Sequence, residues 1–90
     1  MQKHVSIKVS GRVQGVFFRA STKTKADELD IKGYVRNEPD GSVYIEAEGE
    51  QSNLKTFTDW CYRGPANAHV SGCDIKEAAI KGFNDFKIQR

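Results

Sequence analysis

The sequence predicts an α+β fold whose elements follow the order βαββαβ, with a further or split strand near the C-terminal end. Three observations support this prediction. Several segments alternate apolar and polar residues with a period of two, which is typical of half-buried strands. Two other segments repeat apolar residues at helical spacing. Glycine and proline residues separate these segments at the places where the chain must turn.

The first strand and the first helix occupy the N-terminal third of the chain. Val5, Ile7 and Val9 alternate with polar residues and predict a strand. A loop over residues 11–15 contains two glycines and interrupts this alternation. The helix is predicted from residues at helical spacing, namely Phe18, Thr22, Ala26 and Leu29. We expect this helix to end before Gly33.

A β-hairpin is predicted in the middle of the chain. Its first strand covers residues 34–37, and its turn is Pro39-Asp40-Gly41, in which proline presets φ and glycine accepts a positive φ. The second strand is predicted from apolar residues at alternate positions, namely Val43, Ile45 and Ala47. Gly49 is expected to end this strand.

The last third of the chain predicts a helix followed by two strands. The helix is predicted from one apolar face, which consists of Leu54, Phe57 and Cys61. Gly64-Pro65 stops this helix. The fourth strand is predicted from Val70, Cys73 and Ile75. We expect a bulge in it at Gly72, and a short last strand that contains Phe86 and Ile88.

Together these elements predict a ferredoxin-like sandwich. It has an antiparallel sheet of four to five strands, two helices on one face, and right-handed crossovers. A chain of 90 residues buries only about 60% of the surface that it exposes when unfolded, which leaves room for one core. We therefore expect a single domain over residues 1–90, and a monomer as the simplest state.

Composition and charge disfavour several functional classes. The net charge of +2, from 14 basic and 12 acidic residues, is too small to indicate nucleic-acid binding, although it suits a site for a small anion. No run approaches the ~20 apolar residues that span a bilayer. The N-terminal residues lack the apolar stretch of a signal peptide. We expect no membrane partner, no nucleic-acid partner and a cytoplasmic location.

The two cysteines, Cys61 and Cys73, do not make a disulfide framework. Both fall at positions that face the predicted core, so we interpret them as small buried side chains. A bridge between them stays open at this point. Their spacing does not match a zinc site, and the two histidines stand apart from them in the sequence.

The segment from Gly11 to Arg19 joins the first strand to the first helix and indicates an anion-binding loop. Amides at a helix start lack partners and carry partial positive charge. Gly15 lets the backbone curl into a nest of N–H donors, and the guanidinium of Arg19 can grip the same anion in a bidentate way. A plain turn also fits this spacing. The segment lacks the Walker pattern and the dinucleotide-binding glycine fingerprint.

Asn37 ends the second predicted strand, just before the hairpin turn. Two interpretations of this residue stay open. Its side chain can favour the turn through hydrogen bonds to the backbone. Alternatively, its neutral amide can orient a water molecule.

Taken together, these segments resemble the signatures of a known family. The first signature of the acylphosphatases resembles Gly11-Arg12-Val13-Gln14-Gly15-Val16-Phe17-Phe18-Arg19. Their second signature resembles, with the same spacings, Gly33-Tyr34-Val35-Arg36-Asn37 followed by Gly41, Val43 and Gly49. The family's passage from the second helix to the fourth strand is similar to Gly64-Pro65, Ala68 and Val70. Ala66 replaces a proline of many members, which should affect loop stiffness rather than catalysis.

The resemblance covers nearly the whole chain and implies an enzyme. It implies hydrolysis of the carboxyl-phosphate anhydride bond of acyl phosphates, such as acetyl phosphate, carbamoyl phosphate or 1,3-bisphosphoglycerate. It implies that Asn37 positions the attacking water and that neither a metal nor a cofactor is needed. It implies a phosphate site, open also to inorganic phosphate or sulfate, formed by the Arg19 side chain and the backbone amides of Gly15, Val16, Phe17, Phe18 and Arg19.

Other titratable residues are weaker candidates for catalysis. His4 begins a strand that we interpret as edge-like, and His69 lies in the region of the fourth strand, so both are interpreted as surface histidines. Asp40 is interpreted as a turn residue.

Two competing functions are disfavoured. Residues 81–86 partly match an RNA-binding motif, but they depart from it at Asn84, Asp85 and Phe86 and precede the last strand instead of lying on the third. An inactive domain that merely binds anions or another protein is disfavoured because Arg19 and Asn37 are both present.

Overall fold

The helices and strands follow the predicted order, with a short fifth strand at the end. The computed structural model describes residues 1–89. The elements are β1 (Gln2–Arg12), α1 (Phe18–Glu28), β2 (Lys32–Asn37), β3 (Val43–Glu50), α2 (Gln51–Arg63), β4 (His69–Ala78) and β5 (Phe86–Ile88). Neither of the two helices in residues 1–89 is long and apolar enough to cross a membrane.

The five strands form one sheet in the order β4-β1-β3-β2-β5. The three neighbouring pairs formed by β1 to β4 are antiparallel, whereas β5 runs parallel to β2. This direction follows from the path of the chain. β4 ends beside the start of β1, at the end of the sheet where β2 also begins. The segment between β4 and β5, residues 79–85, therefore reaches β2 at its beginning, and β5 then runs in the same direction as β2. The ferredoxin-like fold is therefore confirmed, but the prediction of an antiparallel sheet is wrong for β5, whose parallel pairing with β2 makes the sheet mixed.

The core lies between the sheet and the two helices. The alternate residues of β1 pair with those of β3, so that one apolar row crosses the sheet: Val5 faces Ala47, Ile7 faces Ile45, and Val9 faces Val43. All six of these side chains are buried. The helices cover this face with Phe18, Ala26, Leu54, Phe57 and Cys61. Full burial of a large apolar side chain stabilises the fold by about 1.5–3 kcal/mol, and this row therefore fixes which sheet face is inside.

The pairing of β1 with β3 extends further than the sequence indicated. The prediction that Gly49 ends the strand is wrong, because β3 continues to Glu50. β1 begins as early as Gln2, and it therefore supplies pairing partners for the last residues of β3: Lys3 faces Gly49, and Gln2 faces Glu50.

β1 also continues past the predicted loop boundary at Gly11, to Arg12. The register with β4 changes there, since Ser10 faces Gly72 while Gly11 faces Val70. One residue of β4, between Val70 and Gly72, is therefore left without a partner on β1. This is the bulge that the sequence indicated beside Gly72, and it lets β1 bend before it enters the loop.

His4 is buried, so its interpretation as a surface histidine is wrong. β1 lies in the interior of the sheet rather than at its edge, and His4 projects from the face opposite the helices. Residues of the segment between β4 and β5 cover it: the ring of Phe83 lies 5.8 Å from the ring of His4. His69 is exposed, as predicted.

Both cysteines are free thiols, which removes the alternative of a disulfide bridge. Cys61 lies in the core, and the partly buried Cys73 packs against it. Burial, together with the nearby Cys73, raises the pKa of Cys61 far above its ordinary value, and burial raises that of Cys73 to about 11. Both therefore stay protonated near neutral pH and are poor nucleophiles.

Candidate active site

A cleft opens at the end of the sheet where the carboxyl ends of β1, β2 and β5 meet the start of α1. Its volume is about 330 Å³. The residues that line it are Val13, Gly15, Phe17, Phe18, Arg19, Ala20, Asn37 and Ile88. Arg19 and Asn37, the two side chains predicted to act in catalysis, thus line the same cleft.

The loop that enters α1 has a backbone suited to an anion. Gly15 has a φ of 75°, and Phe17, the N-cap residue of α1, has a φ of 63°. Alternation of left-handed and ordinary residues turns successive N–H groups toward one point. The N-cap makes no side-chain hydrogen bond, and the first turn of α1 has no acidic residue. The first helical hydrogen bond runs from the Ser21 N–H to the Phe17 carbonyl, which leaves the earlier amides free of helix partners.

Of the predicted phosphate-binding residues, four line the cleft and one does not. Gly15, Phe17, Phe18 and Arg19 are lining residues. Val16 is absent from the lining, and its side chain is buried in the core, so only its backbone could serve an anion. The side chain of Phe18 is also buried, whereas that of Phe17 is 79% exposed at the cleft.

Arg19 stands on the first turn of α1 and is partly buried. Within residues 1–89, no carboxylate lies within 4.0 Å of its guanidinium. No carboxylate in this part of the chain therefore neutralises its charge. A guanidinium beside converging N–H groups forms a strong site for a tetrahedral oxyanion.

Asn37 is the last residue of β2, and the hairpin turn after it is held by other groups. Asp40 accepts hydrogen bonds from the Ser42 amide at 2.9 Å and from the Ser42 hydroxyl at 2.6 Å, and it forms an ion pair with Lys8 at 2.9 Å. The bonds from Ser42 and the charge of Lys8 hold the pKa of Asp40 well below its ordinary value. Asp40 is therefore the turn residue that the sequence predicted. It makes side-chain hydrogen bonds within the turn, which was one of the two alternatives for Asn37.

The part of the cleft formed by β5 was not predicted from the sequence. Ile88 lines the site and is 36% exposed. No local pattern could have placed it there, because the position of β5 depends on where the segment after β4 crosses the sheet. The RNA-binding alternative gains no support from the same region, since Phe86 is buried and Phe83 packs against His4 and Tyr34.

Metal ligands do not gather in the part of the chain that the structure describes. Within residues 1–89, no group of three or more histidine, cysteine, aspartate or glutamate side chains is arranged to hold a metal ion. The polar groups of the cleft are a guanidinium, a side-chain amide and backbone amides. Their chemistry suits a phosphate-like anion and a water molecule.

The chain is similar in sequence and in structure to proteins of one known family. Residues 5–88 match the family model described as Acylphosphatase. An acylphosphatase of Methylococcus capsulatus is 47% identical, over 98% of this chain and 97% of the relative. One of Marinobacter nauticus is 51% identical, over 88% and 87%. The solved structure of an acylphosphatase from Coxiella burnetii is 38% identical, with a TM-score of 0.95 over 98% of this chain and 93% of that one. The chain therefore belongs to the acylphosphatase family, whose members hydrolyse acyl phosphates.

Proposed function

We propose that this acylphosphatase works by direct in-line attack of water on the phosphorus atom. Arg19 and the backbone amides of Gly15–Arg19 hold the phosphate, and Asn37 orients the water. One observation supports the proposal: three groups border one cleft. They are a helix N-terminus without a side-chain cap, the Arg19 guanidinium, which pairs with no carboxylate of residues 1–89, and Asn37, whose turn is bonded by Asp40.

The leaving group explains why so few residues suffice. A carboxylic acid has a pKa of about 4–5, so the carboxylate departs as an anion without a proton donor. The P–O bond to the acyl oxygen breaks, and its electron pair leaves with the carboxylate. The water oxygen forms the new P–O bond and passes its proton to a phosphate oxygen.

Charge stabilisation and positioning supply the remaining catalysis. Phosphoryl transfer passes through a loose transition state, with negative charge spread over the oxygens of the transferred group. The guanidinium and the converging amides of the loop neutralise this charge without rearrangement. An asparagine amide has no useful basicity. It can nevertheless accept a hydrogen bond from water and hold the water oxygen in line with the bond that breaks.

Several finer points belong to the same proposal. The substrates are small acyl phosphates, including acetyl phosphate, carbamoyl phosphate and 1,3-bisphosphoglycerate, and inorganic phosphate or sulfate occupies the same site. The reaction needs no metal and no cofactor. The enzyme works in the cytoplasm as a monomer with one domain over residues 1–90, and without nucleic-acid or membrane partners.

Hydrolysis of benzoyl phosphate, with and without a chelator, tests the proposal. We expect turnover that a chelator does not change and that inorganic phosphate inhibits competitively. A rate that depends on added metal would require a different mechanism. Non-competitive inhibition by phosphate would separate the anion site from the reacting site and contradict the assignment of the loop.

A further inference from the structure

The side chain of Gln14 joins the two sides of the cleft. Its Nε2 donates to the carbonyl oxygen of Glu38 at 2.8 Å and to that of Ser42 at 2.9 Å. Gln14 belongs to the loop that precedes α1, whereas Glu38 follows Asn37 directly and Ser42 closes the hairpin turn. Both protons of the amide are thereby used, and the side chain is partly buried.

The two acceptors are also the carbonyls that organise the turn. The Glu38 N–H donates to the Ser42 carbonyl at 2.9 Å, and the Gly41 N–H donates to the Glu38 carbonyl at 3.1 Å. A carbonyl oxygen has two lone pairs, so each of these oxygens accepts one bond from the turn and a second from Gln14. The Gln14 amide thus connects the loop to a turn that is already rigid.

We propose that Gln14 is a positioning residue, which sets the distance between the phosphate-binding loop and the water-orienting Asn37. The inference rests on the proposed function of these two groups. The groups assigned to the phosphate, Arg19 and the loop amides, all lie on the loop side of this connection. Asn37 lies on the turn side. Loss of the connection therefore disturbs the angle and distance of attack more than it disturbs phosphate binding.

Replacement of Gln14 by an apolar residue of similar length isolates this effect. In Gln14→Met, kcat for benzoyl phosphate should fall about 10²-fold, which is the cost of an error of about 1 Å in the position of a reacting group. The inhibition constant of inorganic phosphate should change less than about threefold. Gln51→Met is the matched control, since Gln51 is an exposed glutamine at the start of α2, away from the cleft. Its kcat should equal that of the wild type.

A second variant should change how kcat depends on pH, which a loss of stability alone does not do. Gln14→Glu has the same shape but places a carboxylate opposite two carbonyl oxygens, which repels the turn and favours the neutral form of the new side chain. A protonated carboxyl can donate one of the two lost bonds. Its kcat should therefore rise, relative to the wild type, as pH falls toward and below about 5. Gln51→Glu should show no such rise.

The outcomes separate this inference from the proposed function. If the wild-type enzyme does not hydrolyse benzoyl phosphate, the proposed function fails. If the wild type is active and folded Gln14→Met keeps its kcat, only the positioning role is overturned. A parallel loss of phosphate affinity and kcat would also overturn it, because Gln14 would then support the anion loop itself. If Gln14→Met does not fold, the relative pH profile of Gln14→Glu decides, and a flat profile refutes the role.

Discussion

His4 and Glu48 are joined by a buried hydrogen bond on the sheet face opposite the helices. The Nδ1 atom of His4 lies 2.7 Å from Oε2 of Glu48, and Glu46 contacts the other ring nitrogen. Glu48 also accepts hydrogen bonds from the backbone N–H groups of Lys81, Gly82 and Phe83. This carboxylate therefore fastens the segment that carries the chain from β4 to β5.

Removal of the Glu48 charge should destabilise the fold. In Glu48→Gln, one oxygen becomes an NH₂ group, which faces N–H donors instead of accepting from them. We expect the free energy of unfolding at pH 7 to fall by about 2–3 kcal/mol, because buried N–H donors that bond a carboxylate would lose their acceptor. Urea unfolding measures this change. The control is Glu50→Gln on the same strand, whose carboxylate is exposed and should matter little. If the two variants unfold at the same urea concentration, Glu48 does not stabilise the fold through these bonds.

The same carboxylate predicts how stability depends on pH. Burial would raise the pKa of Glu48, but the N–H groups of the crossing segment and His4 outweigh burial and hold that pKa below its ordinary value. The pKa of Glu48 is lower in the folded than in the unfolded state. The contribution of Glu48 to the free energy of unfolding is therefore complete above about pH 4.5, and it is lost as the pH falls through the folded-state pKa. Acid should therefore destabilise the wild type more steeply than Glu48→Gln in parallel urea titrations. Identical slopes for the two proteins would show that Glu48 titrates alike in both states.

Arg19 should be the most sensitive side chain of the cleft. Among residues 1–89, Arg19 carries the only guanidinium that borders the cleft, so Arg19→Gln should remove both phosphate binding and charge stabilisation in the transition state. We expect kcat/KM for benzoyl phosphate to fall by about 10³-fold or more, by analogy with arginines in other phosphoryl transfers. The control is Arg63→Gln at the end of α2, which should retain the wild-type value. A folded Arg19→Gln protein with near-normal kcat/KM would contradict the assignment.

Replacement of Asn37 should affect turnover and spare phosphate affinity. Asn37→Ala removes the amide that orients water but leaves Arg19 and the loop amides in place. We expect kcat to fall about 10²-fold while the inhibition constant of inorganic phosphate stays within a factor of about three. The turn itself should survive, since Asp40 supplies its side-chain bonds. Asn84→Ala, an exposed asparagine outside the cleft, serves as the control. An intact kcat in the folded variant would remove Asn37 from the mechanism.

The elements of the fold were predictable because their signals are local. The alternation of Val5, Ile7 and Val9 is a property of a few consecutive residues, and so is the glycine-bearing loop before Arg19. The meeting of Arg19 and Asn37 required one further step. β1 and β2 run in the same direction on either side of β3, so their carboxyl ends lie at the same end of the sheet.

The features that the sequence did not predict depend on contacts between distant residues. His4 looked like a surface histidine because nothing near it in sequence shows that residues 81–83 cover its strand. Ile88 borders the cleft only because that crossing segment delivers β5 to the side of β2. The two bonds of Gln14 span 24 and 28 residues, so no motif spacing could indicate their acceptors.

Gly33 links the packing of the sheet to the site at the far end of β2. It has a φ of 145°, and a Cβ atom added there would lie 1.9 Å from the carbonyl oxygen of Glu46 on β3. Gly33→Ala therefore forces β2 away from β3, and we expect the free energy of unfolding to fall by about 3 kcal/mol or more. Urea unfolding at pH 7 measures this loss. Because β2 ends at Asn37, any folded fraction should also have a lowered kcat.

The matched control for this change is Gly72→Ala at the bulge of β4. A Cβ atom there has no heavy atom within 4 Å, and its φ is not in the left-handed region. Alanine should therefore be neutral, or stabilising by up to about 1 kcal/mol, because it reduces the freedom of the unfolded chain. If Gly33→Ala and Gly72→Ala have the same midpoint, β2 and β3 do not approach as closely as the pairing of Gly33 with Ala47 requires. A large difference, with kcat falling only in Gly33→Ala, would show that the close pairing of these strands also holds Asn37 at the cleft.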